Sequence, residues 1–239
     1  MAKTVKKLKI KTNGKSYSYK DSPLYGIRTK KKLAKILGQS LTVIKGLEGD
    51  NGYHCFVDNG RDIQEPVGSL MLVHNRFASL LSRIAMPDFL HSGIKGRSHI
   101  SNADKHTGFK PLLTTDLKAF FQTTSRLSVF GFFYGRMNCA PDVADLIANL
   151  CTYGGHIPTG SQLSMPLAFF ANSKMFHDMA KMSDKHNADM TVYVDDLTFS
   201  GPSVNKRFLH HIKRIAKDFG HTIHPKKTKL YGSGKAKEV

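Results

Sequence analysis

The run Met190-Thr191-Val192-Tyr193-Val194-Asp195-Asp196-Leu197-Thr198-Phe199-Ser200 sets two adjacent carboxylates between two short stretches of β-branched and aromatic residues. Thr191 to Val194 reads as one strand and Leu197 to Phe199 as a second, with Asp195 and Asp196 at the tip of the turn that joins them. Two negative charges side by side repel, so a cation or strong donors are needed to hold them. A solvated Asp-Asp turn satisfies the same pattern, because Asp favours turns. Both readings stand until the rest of the chain is considered.

The charge balance is the first discriminator. Thirty-six Lys and Arg face eighteen Asp and Glu in 239 residues, a net charge of +18. Such an excess calls for a polyanionic partner, most simply nucleic acid. A membrane-surface protein would need an amphipathic or lipidated anchor, and the sequence shows neither that nor an apolar run long enough to span a bilayer. The basic N-terminus lacks the apolar stretch of a signal peptide. Cys55, Cys139 and Cys151 are scattered, which fits reduced thiols in a cytoplasmic protein and neither a disulfide framework nor a zinc site. The twelve histidines, among them His210, His211, His221 and His224, lack ligand spacing and read as surface or nucleic-acid-facing groups.

Along the chain, residues 1–20 read as a loose basic arm and residues 30–37 as a short cationic helix capped by Thr29. Tyr53 to Val57 reads as a strand, followed by a turn and a return stretch from Arg61 to Pro66. The spacing of Leu70, Val73, Phe77, Leu80, Leu81 and Ile84 predicts a core-facing helix ended by Pro87. Leu112 to Leu117 reads as a strand, followed by a helix with Phe120 and Phe121. Helices follow over residues 142–151 and 163–182, separated by a turn at Pro158 to Gly160. After the Asp-Asp hairpin, Val204, Phe208, Ile212, Ile215 and Phe219 mark an amphipathic helix stopped by Gly220, and a last strand pair is expected from 222–223 and 229–231.

This order suits an α+β plan, an antiparallel sheet with helices on one face. In such a sheet Asp116 can lie beside Asp195 and Asp196. Three converging Asp oxygens are hard ligands suited to Mg²⁺, and two such ions can activate a hydroxyl and stabilise a leaving pyrophosphate.

The residues then match a known family. Tyr193-Val194-Asp195-Asp196 resembles the Y-x-D-D box of reverse transcriptases, and the segment Thr115 to Phe121 resembles their upstream D-x-x-x-(F/Y) motif. Residues 157–164 are similar to the intervening P-Q-G segment. Arg97 with Asn102-Ala103-Asp104-Lys105-His106 resembles the N-A-x-x-H signature of retron reverse transcriptases, and Arg61-x-Ile63-x-x-Pro66 resembles a fingers motif shared with group II intron enzymes. Any one of these is weak; five in the right order are a strong set.

The resemblance implies a right-hand polymerase: fingers over residues 21–111 and an antiparallel-sheet palm with interleaved fingers helices over 112–239. Asp116, Asp195 and Asp196 are then catalytic and bind two Mg²⁺ ions, with the Leu117 carbonyl in the metal shell. Arg61, Phe121, Thr159 and Gly160 contact the incoming dNTP, Phe121 as a ring that excludes a 2′-hydroxyl or, alternatively, as a plain core aromatic. Arg97 binds structured RNA, and Asn102 and His106 bind structured RNA or brace the palm. The implied partners are a structured noncoding RNA, its DNA product (msDNA) and an effector or toxin protein in anti-phage defence. Three departures accompany the likeness. Thr159 replaces the family's glutamine, no lysine precedes Arg61 in the fingers strand, and no thumb follows the palm in this chain. They keep two alternatives open: a non-catalytic RNA-binding scaffold, and an RNA-templated RNA polymerase, against which Phe121 argues.

Overall fold

The computed structural model describes residues 10 and 12–234. Half of the expected N-terminal arm, residues 1–9 and 11, lies outside the described residues. Its end is not loose: the Tyr17 N–H donates to Arg83, its carbonyl accepts from Ala85, and its hydroxyl donates to Leu80 at 2.7 Å.

Helices α1 (Lys30–Leu37) and α2 (Leu41–Gly46) precede strands β1 (Tyr53–Asp58) and β2 (Arg61–Pro66), then α3 (Gly68–Leu81) and α4 (His99–Asp104). Strand β3 (Leu112–Asp116) leads into α5 (Phe120–Thr123), α6 (Arg126–Gly131) and α7 (Pro141–Cys151), with a π-helical turn at Phe132–Arg136. There follow α8 (Ser164–Ala171), α9 (Ser173–Lys185), β4 (Asp189–Tyr193), β5 (Asp196–Ser200), α10 (Lys206–Asp218) and β6 (Lys229–Tyr231). The plan is α+β, mixed helix and antiparallel sheet, and is compatible with a polymerase fold. The chain forms two compact units interleaved in sequence: Met1–Ala85 with Thr124–Ala168, and Met86–Thr123 with Phe169–Val239.

In the first unit the predicted stripe of α3 is core: Leu70, Val73, Phe77, Leu80 and Leu81 are fully buried. Each such side chain contributes about 1.5–3 kcal/mol through apolar burial. The helix ends at Leu81, well before Pro87, and Ile84 is buried beyond it. Thr29 caps α1 as expected, accepting from the Lys32 N–H. The β1–β2 hairpin turns through Asn59 and Gly60, both at positive φ (48° and 74°), the two-residue turn whose twist matches its strands.

In the second unit the strands run β4-β5-β3-β6, every pair antiparallel. Alternation along β5 sends Asp196 and Thr198 to one face, and Leu197 and Phe199 to the other, where Phe199 meets Phe208 of α10 at a ring distance of 5.3 Å. The single helix expected over 163–182 is broken at Asn172, whose buried side chain accepts from His221 at 2.8 Å. The expected strand at 222–223 is only a bridge from Ile223 to Leu117, and β6 pairs with β3 instead.

Candidate active site

The carboxylates converge through register. Asp116, last in β3, pairs with Asp196, first in β5, and Asp196 pairs in turn with Tyr193 of β4. The hairpin turn is therefore Val194-Asp195, so Asp196 stands on the strand and not at the tip. The Leu117 N–H donates to the Asp195 carbonyl at 3.0 Å and ties the turn to the end of β3. One carboxylate oxygen from each of Asp116, Asp195 and Asp196 lies within 4.8 Å of the others. Val194 sits at φ +60°, left-handed backbone that a β-branched residue rarely adopts. Its N–H is held by Ser92 Oγ at 3.0 Å.

The electrostatics are those of crowded anions. Burial and then the Asp116 charge push the Asp195 carboxyl up to about 6, and the same two causes raise Asp196. The cation that meets them is Lys227, on the turn Pro225–Lys227, with Nζ 2.5 Å from Asp116 Oδ2. That hydrogen bond, ahead of the surrounding carboxylate charges, raises the lysine. The segment is strapped to β3 by the His224 N–H donating to the Asp116 carbonyl and by Thr115 and Thr228 hydroxyls 2.8 Å apart. An all-oxygen donor set whose members repel one another fits a divalent hard cation such as Mg²⁺. Sequence reasoning missed Lys227; a lysine pair just after Pro225, following the Gly220 helix stop, was the available signal.

The motif residues upstream form a frame. Arg97 donates to the carbonyls of Pro87 (2.7 Å) and Leu90 (2.6 Å) and pairs with Asp88. The segment it pins continues the sheet, with Val192 donating to Phe89 and His91 to Val192, both at 2.8 Å. His106, 2% exposed, has Nδ1 2.8 Å from Ser200 Oγ and Nε2 2.6 Å from Thr191 Oγ1, so it joins β4 to β5. Of the two roles left open for His106, these contacts are those of a brace, and the Arg97 guanidinium is likewise turned to main-chain carbonyls. Asn102 is also buried, but its Oδ1 has no hydrogen-bond partner among the described residues. It lines a cavity of about 510 Å³ with His99, Tyr193, Asp196, Lys226 and Lys229.

Phe120 is the core aromatic, against Phe176 and His221, whereas Phe121 is half-buried. His221 corrects the surface reading of the histidines: it is buried between Thr123 Oγ1 (2.9 Å) and Asn172 Oδ1. His74, His91 and His106 are buried as well.

Arg61, Thr159 and Gly160 belong to the first unit. Arg61 opens β2 and is exposed. Gly160 packs on the β2 backbone so closely that a Cβ would stand 2.7 Å from the Gln64 carbonyl oxygen and 2.9 Å from the Glu65 nitrogen, so only glycine fits. The Thr159 hydroxyl donates to the Asp62 carbonyl at 2.6 Å, and its N–H donates to Gln64 Oε1 at 3.1 Å. Beneath the turn, His74 Nε2 bonds the Leu150 carbonyl and Nδ1 the Ser161 hydroxyl, each at 2.7 Å. The carbonyl can only accept, so the proton is on Nε2 and Ser161 donates to Nδ1. Burial pushes this imidazole down to about 4. Gln64 and His74 gave no motif signal.

An antiparallel sheet carrying three carboxylates at one strand end, braced by His106 across β4 and β5 and supplied with cations, defines a centre able to hold divalent metal beside a polyanion. No family model matches the chain. Among curated proteins it is similar to the retron Se72 reverse transcriptase of Salmonella heidelberg, 28% identical over 144 residues (59% of this chain, 37% of the relative). It is similar also to two Escherichia coli proteins, the retron Ec86 reverse transcriptase (27% over 167 residues, 67% and 51%) and the retron Ec48 reverse transcriptase (24% over 243 residues, 91% and 58%). The chain thus spans between about a third and three-fifths of the length of these relatives.

Proposed function

We propose that the chain is the catalytic part of a retron-type RNA-directed DNA polymerase, which extends a primer on a structured noncoding RNA by nucleotidyl transfer with two Mg²⁺ ions. The observation that carries this reading is the convergence of Asp116, Asp195 and Asp196 through strand register, and the likeness to retron reverse transcriptases supports it. The three carboxylates and the Leu117 carbonyl would hold the metal, which supplies charge neutralisation for the attacking and leaving oxygens. Arg61 takes the triphosphate of the dNTP as a bidentate donor. Gly160 and Thr159 form the surface under the nucleotide, and the half-buried Phe121 ring excludes a 2′-hydroxyl. Residues 21–111 act as fingers, 112–239 as palm with interleaved fingers helices. Asn102 Oδ1 offers an acceptor to the RNA beside the site. The setting is cytoplasmic, with msDNA as product and an effector protein as partner in anti-phage defence.

Asp116→Asn and Asp195→Asn are expected to abolish Mg²⁺-dependent dNTP incorporation while RNA binding persists. Incorporation at the wild-type rate by either variant overturns the assignment. A second reading, an RNA-binding scaffold without catalysis, is favoured by the ammonium of Lys227 already seated on Asp116. Under it the purified chain binds structured RNA and never extends a primer.

A further inference from the structure

Helix α10 carries Lys206, Arg207, His210, Lys213, Arg214 and Lys217, all exposed, against a single acid, Asp218, at its end. Its other side, Phe208, Ile212 and Ala216, is buried. Lys206, His210, Lys213 and Lys217 fall at steps of four, three and four residues, which aligns them in one stripe; Arg207 and Arg214 flank it one residue on. Among the described residues none of these cations has an acidic partner within ion-pair distance. An ordinary solvated helix face mixes signs and gains from pairs four apart; this one does neither. The His211 imidazole is pushed down by burial and then by Arg214 and Arg207, a sign of uncompensated positive potential.

The stripe is also in a telling place. Helix α10 packs through Phe208 on Phe199, and Phe199 projects from the sheet face opposite to Asp196. A strand reacting at the carboxylates does not reach this surface within the same unit. At a rise of 1.5 Å per residue the stripe is roughly 16 Å long. One strand of a duplex presents a phosphate about every 3.4 Å of axis, so the stripe faces on the order of five phosphates.

We propose that the exposed face of α10 is a second nucleic-acid site, which grips the phosphate backbone of a duplex segment remote from the reacting end. If the polymerase reading holds, the segment is a helical stem of the same RNA that supplies the template. The site recognises charge and spacing, not base sequence.

The test is the triple variant Lys206→Gln, Lys213→Gln, Lys217→Gln, with Lys30→Gln, Lys31→Gln, Lys35→Gln on α1 as the matched control for net charge. Binding of an RNA hairpin of roughly 16 base pairs is titrated against salt, without Mg²⁺ or dNTP. The α10 variant is expected to bind about tenfold or more weakly at low salt, with a salt slope shallower by roughly 2, while dNTP incorporation on a short primed template is unchanged. A DNA duplex binding the site as well as the RNA hairpin supports a backbone grip; anionic vesicles binding in preference to both overturn it. An unchanged slope, or an equal loss in the α1 control, also overturns the proposal. Steep hairpin binding through α10 by a wild-type chain that never incorporates dNTP leaves this site standing and removes the polymerase reading.

Discussion

The Thr159 hydroxyl donates to the carbonyl oxygen of Asp62 at 2.6 Å, one residue beyond Arg61. The residue that departs from the family pattern is thus a clasp between the 158–161 turn and the strand that carries the arginine. Thr159→Val keeps the shape and removes the donor, at a cost near 1 kcal/mol for one hydrogen bond. The expected result is a KM for dNTP raised about fivefold with kcat nearly unchanged, and recovery in Thr159→Ser. Steady-state kinetics on a homopolymer template decides it; equal defects in Val and Ser variants would show that the hydroxyl is irrelevant.

Asp195, raised to about 6, is held folded at a cost in its charged form. A carboxyl whose folded pKa is raised contributes most below its unfolded value near 4, and that contribution is lost as pH rises through 6. Above pH 7 without divalent metal, Asp195→Asn is therefore expected to stabilise the chain by on the order of 1 kcal/mol while it abolishes incorporation. Urea denaturation at pH 5 and pH 8 checks the sign: the gain should be larger at pH 8.

Lys227 Nζ sits on Asp116 Oδ2, so a divalent ion held by the three carboxylates would have to share Asp116 with the ammonium. Lys227→Gln should tighten Mn²⁺ binding several-fold in calorimetry, on the order of 1 kcal/mol for an exposed charged partner, and lower the melting temperature of the metal-free chain. Weaker Mn²⁺ binding in the variant would mean that the lysine supports the ion.

Two imidazoles, His74 and His221, are buried and pushed down to about 4. The unfolded chain takes up protons there below 6.5 that the folded chain refuses, so stability present above pH 6.5 is lost as pH falls from 6.5 towards 4. The combined His74→Gln, His221→Gln variant should show a flatter stability profile over that interval, though a lower plateau. A parallel profile would place the acid sensitivity elsewhere.

The parts of the site legible in the sequence are those where chemistry and local period coincide. The hairpin showed itself because β-branched runs flank Asp195 and Asp196, and register then brought Asp116 to Asp196. Gly160 was legible as a turn residue, but its reason, a β2 backbone within 3 Å of any Cβ, is a tertiary fact. The break at Asn172 was hidden because apolar spacing continues across it; the Asn172 side chain accepts from His221, 49 residues away, a contact no local pattern announces. His74 and Gln64 act through contacts distant in sequence, and nothing in their neighbourhoods marks them among the chain's other histidines and glutamines; Lys227 has only its place just after Pro225 to distinguish it from the other lysines.

Val194, with its left-handed backbone, bears on how the chain can change. A β-branched side chain there costs about 1–2 kcal/mol that glycine would release. Selection for heat resistance alone would therefore drift towards glycine at this position, and the turn that aims Asp195 would gain freedom. Thermal robustness and accurate presentation of the carboxylates pull this one residue in opposite directions, and the Ser92 hydrogen bond to the Val194 N–H helps to hold the strained turn in place.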